Sequence, residues 1–330
     1  MILDETQDNA YLTAIRNGTL KEGLGINCDL DNHLRFKQGS FNVILGHANV
    51  GKTDWIVWYQ VCHAMLNSIN WLIYSSENRI GSIKRKILEF KVGKSLTEMN
   101  DNEFNKANTW MNFKFKFVDT ARLYTAKELL DCMEQSKDQF EGAIIDPYNS
   151  LVKDLTGTNS HEYDYKTASE IRLFCQKNNK TVYVVAHAAT EALRKTHSKD
   201  HVYAGHSIPP NAADIEGGGK WVNRADDFIV LHRYLQHEHE WFITQVHIRK
   251  VKETETGGKP TFIDEPVKCV KWKQSFTVNQ VNPMDGQKVE QKPLPLNTEF
   301  DKTVQVAKEK IEEESKYNWM DKDPDDEILF

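Results

Sequence analysis

Apolar residues in this chain gather in short continuous runs, and the stretches between them mix apolar and polar positions. Phe41-Asn42-Val43-Ile44-Leu45, Trp71-Leu72-Ile73-Tyr74-Ser75, Gly142-Ala143-Ile144-Ile145-Asp146 and Thr181-Val182-Tyr183-Val184-Val185-Ala186 each have the length and content of a buried strand. Residues 54–66, 79–92, 97–111, 125–139 and 166–177 read as helices between them. Residues 114–118 alternate charged and aromatic side chains, as an edge strand does, and residues 228–231, 241–248 and 267–272 read as later strands. Strand and helix in alternation predict an α/β fold with a largely parallel sheet flanked by helices.

The remaining stretches set the domain organisation. Residues 1–22 hold one short helix that ends near Gly18 and either docks loosely or packs on a neighbouring subunit. Residues 23–280 form the main domain, 281–316 a linker and a charged helix, and 317–330 a disordered acidic tail. Within the main domain, residues 152–164 read as a polar, mobile connection. Residues 188–210 are long, polar and without periodicity, a pattern of functional or disordered loops. His197, His201 and His206 lie there at loose spacings with no cysteine or acidic frame, so they read as solvated loop histidines.

Composition narrows the function classes. With 330 residues and 39% hydrophobic content, the chain can build one large domain with appendages. A formal net charge of −6 excludes wholesale electrostatic binding to DNA, so a nucleic-acid site has to be a local basic surface or a loop. Cys28, Cys62, Cys132, Cys175 and Cys269 show no C-x-x-C spacing, which fits a reducing compartment and no zinc site. No apolar run is long enough for a bilayer and the N-terminus lacks a signal-peptide pattern. The expectation is a soluble, cytoplasmic protein with no membrane contact.

The chemistry starts at Gly46-His47-Ala48-Asn49-Val50-Gly51-Lys52-Thr53, which fills every defined position of the G-x-x-x-x-G-K-[ST] phosphate-loop pattern (Walker A). Glycines let backbone N–H groups converge on phosphate oxygens, the lysine reaches the β- and γ-phosphates, and the hydroxyl holds Mg²⁺. A strand precedes the loop and a helix starting at Asp54 follows it, so the loop opens a helix N-terminus. This predicts a P-loop NTPase that uses ATP and Mg²⁺. Asp146, at the end of an apolar strand, is the second candidate Mg²⁺ residue. Hydrolysis also needs a group to orient water, and the position after Asp146 is Pro147, which cannot serve. Glu77, just past residues 71–75, stands where open α/β sheets bind ligands and is the best candidate for the catalytic carboxylate.

A glutamate on the strand after the phosphate-loop helix, rather than beside the strand-end aspartate, is the arrangement of RecA-like and DnaB-like motors. Over about residues 23–272 the chain resembles the DnaB-like replicative helicases, in particular the helicase half of phage primase-helicases and of Twinkle-type helicases. Gly46–Thr53, Ser75-Ser76-Glu77 and Ile144-Ile145-Asp146 match the family's first motifs, and Ala186-His187 looks like its γ-phosphate sensor. Asp214-Ile215-Glu216-Gly217-Gly218-Gly219, Ala225-Asp226 and Leu231-His232-Arg233 match the fourth. The resemblance implies a RecA-like domain in a ring, taken here as a homo-hexamer, hydrolysing ATP between subunits and moving 5′ to 3′ on single-stranded DNA. It also implies that Arg233 lies near the adenine and that the glycine loop lines the channel. Gly217, Gly218 and Gly219 expose backbone N–H groups that can grip phosphates without reading bases, and Lys220 adds a charge.

Two departures stand out. The family's trans-acting arginine finger, typically Lys-x-Arg, is replaced by Lys250-Val251-Lys252, so either Lys252 or Arg249 takes that role. There is also no room for a primase domain, as expected of a stand-alone core that a phage would encode for the host cytoplasm. Two rivals stay open: a RecA-like recombinase filament, and a nucleotide-gated module that recruits replisome proteins. The tail's Ile328, Leu329 and Phe330 follow a block of acidic residues and read as a docking peptide for a DNA polymerase or another replisome protein.

Overall fold

The structure is a computed structural model and describes residues 9–157 and 159–289. The charged helix expected at 298–316, the acidic tail and its Ile328, Leu329 and Phe330 lie outside the described residues, as do residues 1–8 and 290–297. In chain order the main elements are α1 (Asn9–Arg16), β1 (Phe41–Gly46), α2 (Lys52–Leu66), β2 (Trp71–Ser75), α3 (Ile80–Val92) and α4 (Asp101–Lys114). They continue with β3 (Phe115–Phe117), α5 (Ala126–Gln135), β4 (Gly142–Asp146), α6 (Ser160–Asn178), β5 (Thr181–His187) and α7 (Lys220–Arg224). The last are β6 (Asp227–His232), β7 (Ile243–Val251), α8 (Thr254–Gly257), β8 (Val267–Trp272) and β9 (Ser275–Val278).

The strands form one sheet in the order β3-β2-β4-β5-β1-β6-β7-β8-β9. From β3 to β6 neighbours run parallel, and β7, β8 and β9 extend the sheet as antiparallel hairpins. All residues of β1, β2 and β4 are buried, which explains why these strands read as continuous apolar runs rather than alternating ones. The side chains still alternate between two cores. Ile44, Ile144 and Val185 pack on one face with Trp55, Trp58 and Tyr59 of α2 and Ile83 and Ile87 of α3. Val43, Ile145 and Val184 pack on the other with Leu129 and Met133 of α5, Ile171 of α6 and Trp221 of α7.

The structure differs from the sequence-based expectation in four places. Helix α6 starts at Ser160, well before residue 166, because the Asn159 side chain caps it by accepting from the N–H of Glu162 at 2.9 Å. The connection at 152–164 therefore ends in helix, and Asp164 is fully buried, bonded to the Tyr148 hydroxyl and Lys153. Helix α4 starts at Asp101 behind an Asn100–Glu103 capping box, and the residues before it form a separate 3₁₀ turn at Leu96–Glu98. The stretch 188–210 has its own order, with a 3₁₀ turn at Thr190–Arg194 and bridges pairing Thr196 with Ser207 and His197 with Ala204. Strand β9 adds a hairpin partner to β8 that has no counterpart in the expected set. Among the described residues no helix is long and apolar enough to cross a membrane.

Candidate active site

Gly46 closes β1, and the chain turns through Asn49 at φ 63° and Gly51 at φ 87° before α2 begins at Lys52. A Cβ on Gly46 would sit 2.6 Å from the carbonyl oxygen of Leu231 in β6, so only glycine lets the loop leave the sheet here. The Lys52 ammonium donates to the carbonyl oxygens of Gly46 at 3.1 Å and His47 at 2.8 Å. Burial pushes its pKa down, against the pull of the carboxylates of Asp146 and Glu77. It is a desolvated cation held on two neutral carbonyl acceptors.

Thr53 Oγ1 donates to Asp146 Oδ2 at 2.8 Å, so helix α2 and strand β4 bring the two predicted metal residues together. Asp146 is buried, and its pKa is raised first by that burial and further by the Glu77 carboxylate, with the Thr53 hydrogen bond, Lys52 and His187 opposing. Strands β2 and β5 flank β4 on its two sides, pairing Ser75 with Asp146 and Val184 with Ile145. That register sets Glu77, two residues past β2, opposite His187 at the end of β5. Glu77 Oε1 lies 3.1 Å from His187 Nε2, a close electrostatic contact whose angles fall short of a hydrogen bond. Asn78, absent from the sequence-based set, reaches Thr53 Oγ1 at 3.5 Å and Ser75 Oγ at 3.4 Å.

From β5 the chain runs toward the glycine loop. Ala189 N–H donates to the Asp214 carbonyl at 2.7 Å and Glu216 N–H to the His187 carbonyl at 3.1 Å. Gly217 and Gly218 sit at φ 94° and 93°, and a Cβ on Gly217 would lie 2.5 Å from Asp164 Oδ2. Beyond them the Lys220 ammonium donates to the His161 carbonyl at 3.0 Å, and Trp221 packs on Tyr148 with ring centroids 4.1 Å apart. The glycine loop is thus fastened to α6 on one side and to the end of β5 on the other.

Arg233, just past β6, donates from Nε to the carbonyl of Trp241, and its Nη1 lies 3.5 Å from where a Cβ on Gly51 would be. With His47, Val50, His206, His232 and Tyr234 it lines a cleft of about 270 Å³ beside the phosphate loop. Asp54 faces α3 instead, paired with Lys86 and 4.0 Å from Lys271. Lys252 and Arg249 are not brought to this site. Strand β7 runs antiparallel, so Val251 pairs with Asp227, which also pairs with Asn42 at the start of β1, far along that strand from Gly46. Lys252 lies 3.5 Å from Asp226, and Arg249 donates to His247 Nδ1 at 3.2 Å.

No protein-family model matches the chain. The Twinkle homolog protein, chloroplastic/mitochondrial, of Arabidopsis thaliana is 26% identical over 247 residues, covering 69% of this chain; the chain spans 33% of that relative's length. Among solved structures, an ATPase domain superposes with a TM-score of 0.63 at 13% identity, covering 83% of this chain and 99% of that one. A DnaB-like replicative helicase, solved to study its interactions with primase, gives 0.62 at 14% identity over 83% of this chain and 67% of that one. A KaiC-like protein of the archaeon Pyrococcus horikoshii gives 0.51 at 14% identity over 78% and 97%. With its phosphate loop, parallel strand order and strand-end carboxylates, the chain has the RecA-like fold of DnaB-like helicase cores.

Proposed function

We propose that this chain is an ATP-dependent, ring-forming replicative DNA helicase that moves along single-stranded DNA. The observation that carries the reading is the convergence of Glu77, Asp146 and His187 at the ends of the neighbouring strands β2, β4 and β5, beside Thr53. The site fits a nucleoside triphosphate with Mg²⁺: a hydroxyl and a carboxylate already 2.8 Å apart, a buried ammonium on exchangeable carbonyls, and a turn that a side chain at position 46 would block. Mg²⁺, when bound, would supply neutralisation of phosphate charge. Thr53 and Asp146 would hold it, and Lys52 would take the β/γ charge. Glu77 orients the attacking water, with His187 beside it to register the γ-phosphate. Arg233 and the cleft it lines suit the adenine.

Lys252 and Arg249 lie away from the phosphate loop of their own chain, as the trans-acting finger implied by the resemblance requires, and a lysine finger would lack the bidentate fork of arginine. The Gly218 N–H donates to the Ile215 carbonyl at 2.8 Å, so of the three glycines expected to expose N–H groups it has to be released first; with it and Lys220 freed from Ile215 and His161, the backbone N–H groups of Gly217, Gly218 and Gly219 take the phosphates of single-stranded DNA without reading bases. The hexameric ring, 5′-to-3′ movement, a phage-type role in the host cytoplasm and polymerase docking through Ile328, Leu329 and Phe330 complete the proposal on sequence grounds. Electron imaging with an ATP analogue and single-stranded DNA, paired with fork unwinding, tests it. Closed rings and unwinding are expected; filaments with strand exchange would make the chain a recombinase instead.

A further inference from the structure

Between the carboxylate pair at the phosphate loop and the glycine loop lies one side chain bonded to both segments. Asn149, three residues past β4, accepts the backbone N–H of His187 on its Oδ1 at 3.2 Å. Its Nδ2 donates to Glu216 Oε2 at 2.8 Å. Glu216 in turn donates its own N–H to the His187 carbonyl at 3.1 Å and directly precedes Gly217. His187, Asn149 and Glu216 therefore close a small ring of three hydrogen bonds that joins the end of β5 to the start of the glycine loop. The neighbours of Asn149 are fixed: Tyr148 is buried against Trp221 and bonded to Asp164, and the Ser150 hydroxyl donates to the Pro147 carbonyl at 2.8 Å. The amide is thus aimed by a well-anchored turn, while the two groups it holds belong to the end of β5 and to the start of the glycine loop.

We infer that Asn149 is a positioning residue that couples nucleotide binding to the grip of the glycine loop on single-stranded DNA. A displacement of His187 by the γ-phosphate moves its backbone N–H, and the amide passes that movement to Glu216 and so to Gly217. The bond polarity is specific. Oδ1 must face a donor and Nδ2 an acceptor, and the acceptor is a carboxylate, which makes the second bond charge-assisted.

The inference rests on the helicase reading, and the test separates the two. Affinity for a single-stranded oligonucleotide is measured with the full chain, with and without a non-hydrolysable ATP analogue, and analogue affinity with and without the oligonucleotide. Linkage requires the two enhancements to be equal, and couplings of this kind are roughly 5- to 150-fold. In Asn149→Ala both enhancements should fall together toward one, while analogue affinity without DNA and DNA affinity without nucleotide stay within about twofold. Asn149→Asp should uncouple as well, since it sets two carboxylates against each other. The double variant Asn149→Asp/Glu216→Gln reverses the bond: the introduced carboxylate accepts from both His187 N–H and the introduced amide, and coupling should return. A merely structural role predicts no such rescue. Coupling that survives Asn149→Ala, or a folded double variant that stays uncoupled, overturns the inference and leaves the helicase reading standing. A wild-type chain with no coupling at all defeats both.

Discussion

At the scale of single residues, two carboxylates at the site have different surroundings. Glu77 is half exposed and touches His187, whereas Asp146 is buried and bonded to Thr53. Replacing Glu77 with glutamine keeps size and hydrogen bonding but removes the base, so Glu77→Gln should bind an ATP analogue within about twofold of wild type and lose roughly 10²- to 10⁴-fold in turnover. Turnover near wild type would move the water-orienting role elsewhere. Asp146 predicts a pH dependence. Burial raises its pKa above that of an ordinary aspartate, and Mg²⁺ needs the ionised form, so protons compete with the metal at a higher pH than they would for an exposed aspartate. Mg²⁺ affinity of the analogue complex should be flat well above that pKa and fall as pH drops toward it. Glu77→Gln, by removing a charge that raises the pKa, should shift the fall to lower pH. An identical profile in both proteins would deny the coupling between the two groups.

At the scale of elements, β1, β2, β4 and β5 were legible because buried parallel strands are apolar throughout, and the phosphate loop because its glycines and lysine have fixed jobs at fixed spacing. The start of α6 was not. Its first turn, Ser160-His161-Glu162-Tyr163-Asp164, is polar, and the burial of Asp164 makes sense only once Tyr148 and Lys153 arrive from outside the helix. The same limit hid Asn149, whose partners lie 38 and 67 residues away in sequence. Elimination at Pro147 makes Glu77 a candidate, but its nearness to His187 depends on β2 and β5 flanking β4, which no local pattern encodes. The glycine loop carries a prediction at this scale. Gly217→Ala meets both a left-handed backbone and Asp164 Oδ2 at 2.5 Å, so it should cost about 1–3 kcal/mol by thermal melting. Single-stranded DNA binding should weaken while ATP-analogue binding holds. Equal losses in both would mean that the loop does not act separately from the phosphate site.

At the scale of the whole molecule, a −6 charge would keep a DNA contact local, and the sheet fixes where each candidate site residue sits. The core also holds histidines that burial keeps neutral: the pKa values of His63, His232 and His247 are pushed down to about 3. Unfolded, each would protonate near about 6.5, so the unfolded state binds more protons below that pH. Stability should be full above about pH 6.5 and decline as pH falls below it, by up to about 1.4 kcal/mol per pH unit for each of these groups. Urea midpoints measured from about pH 8 down to about pH 5 check this, and a midpoint constant over that range would contradict it.

If the phosphate loop and the glycine loop form one motor, the rate of ATP hydrolysis by the full chain with Mg²⁺ should respond to single-stranded DNA. At least about tenfold stimulation by single strands is expected, equivalent to about 1.4 kcal/mol off the barrier, and little by duplex of the same length. A hydrolysis rate indifferent to single-stranded DNA would contradict it.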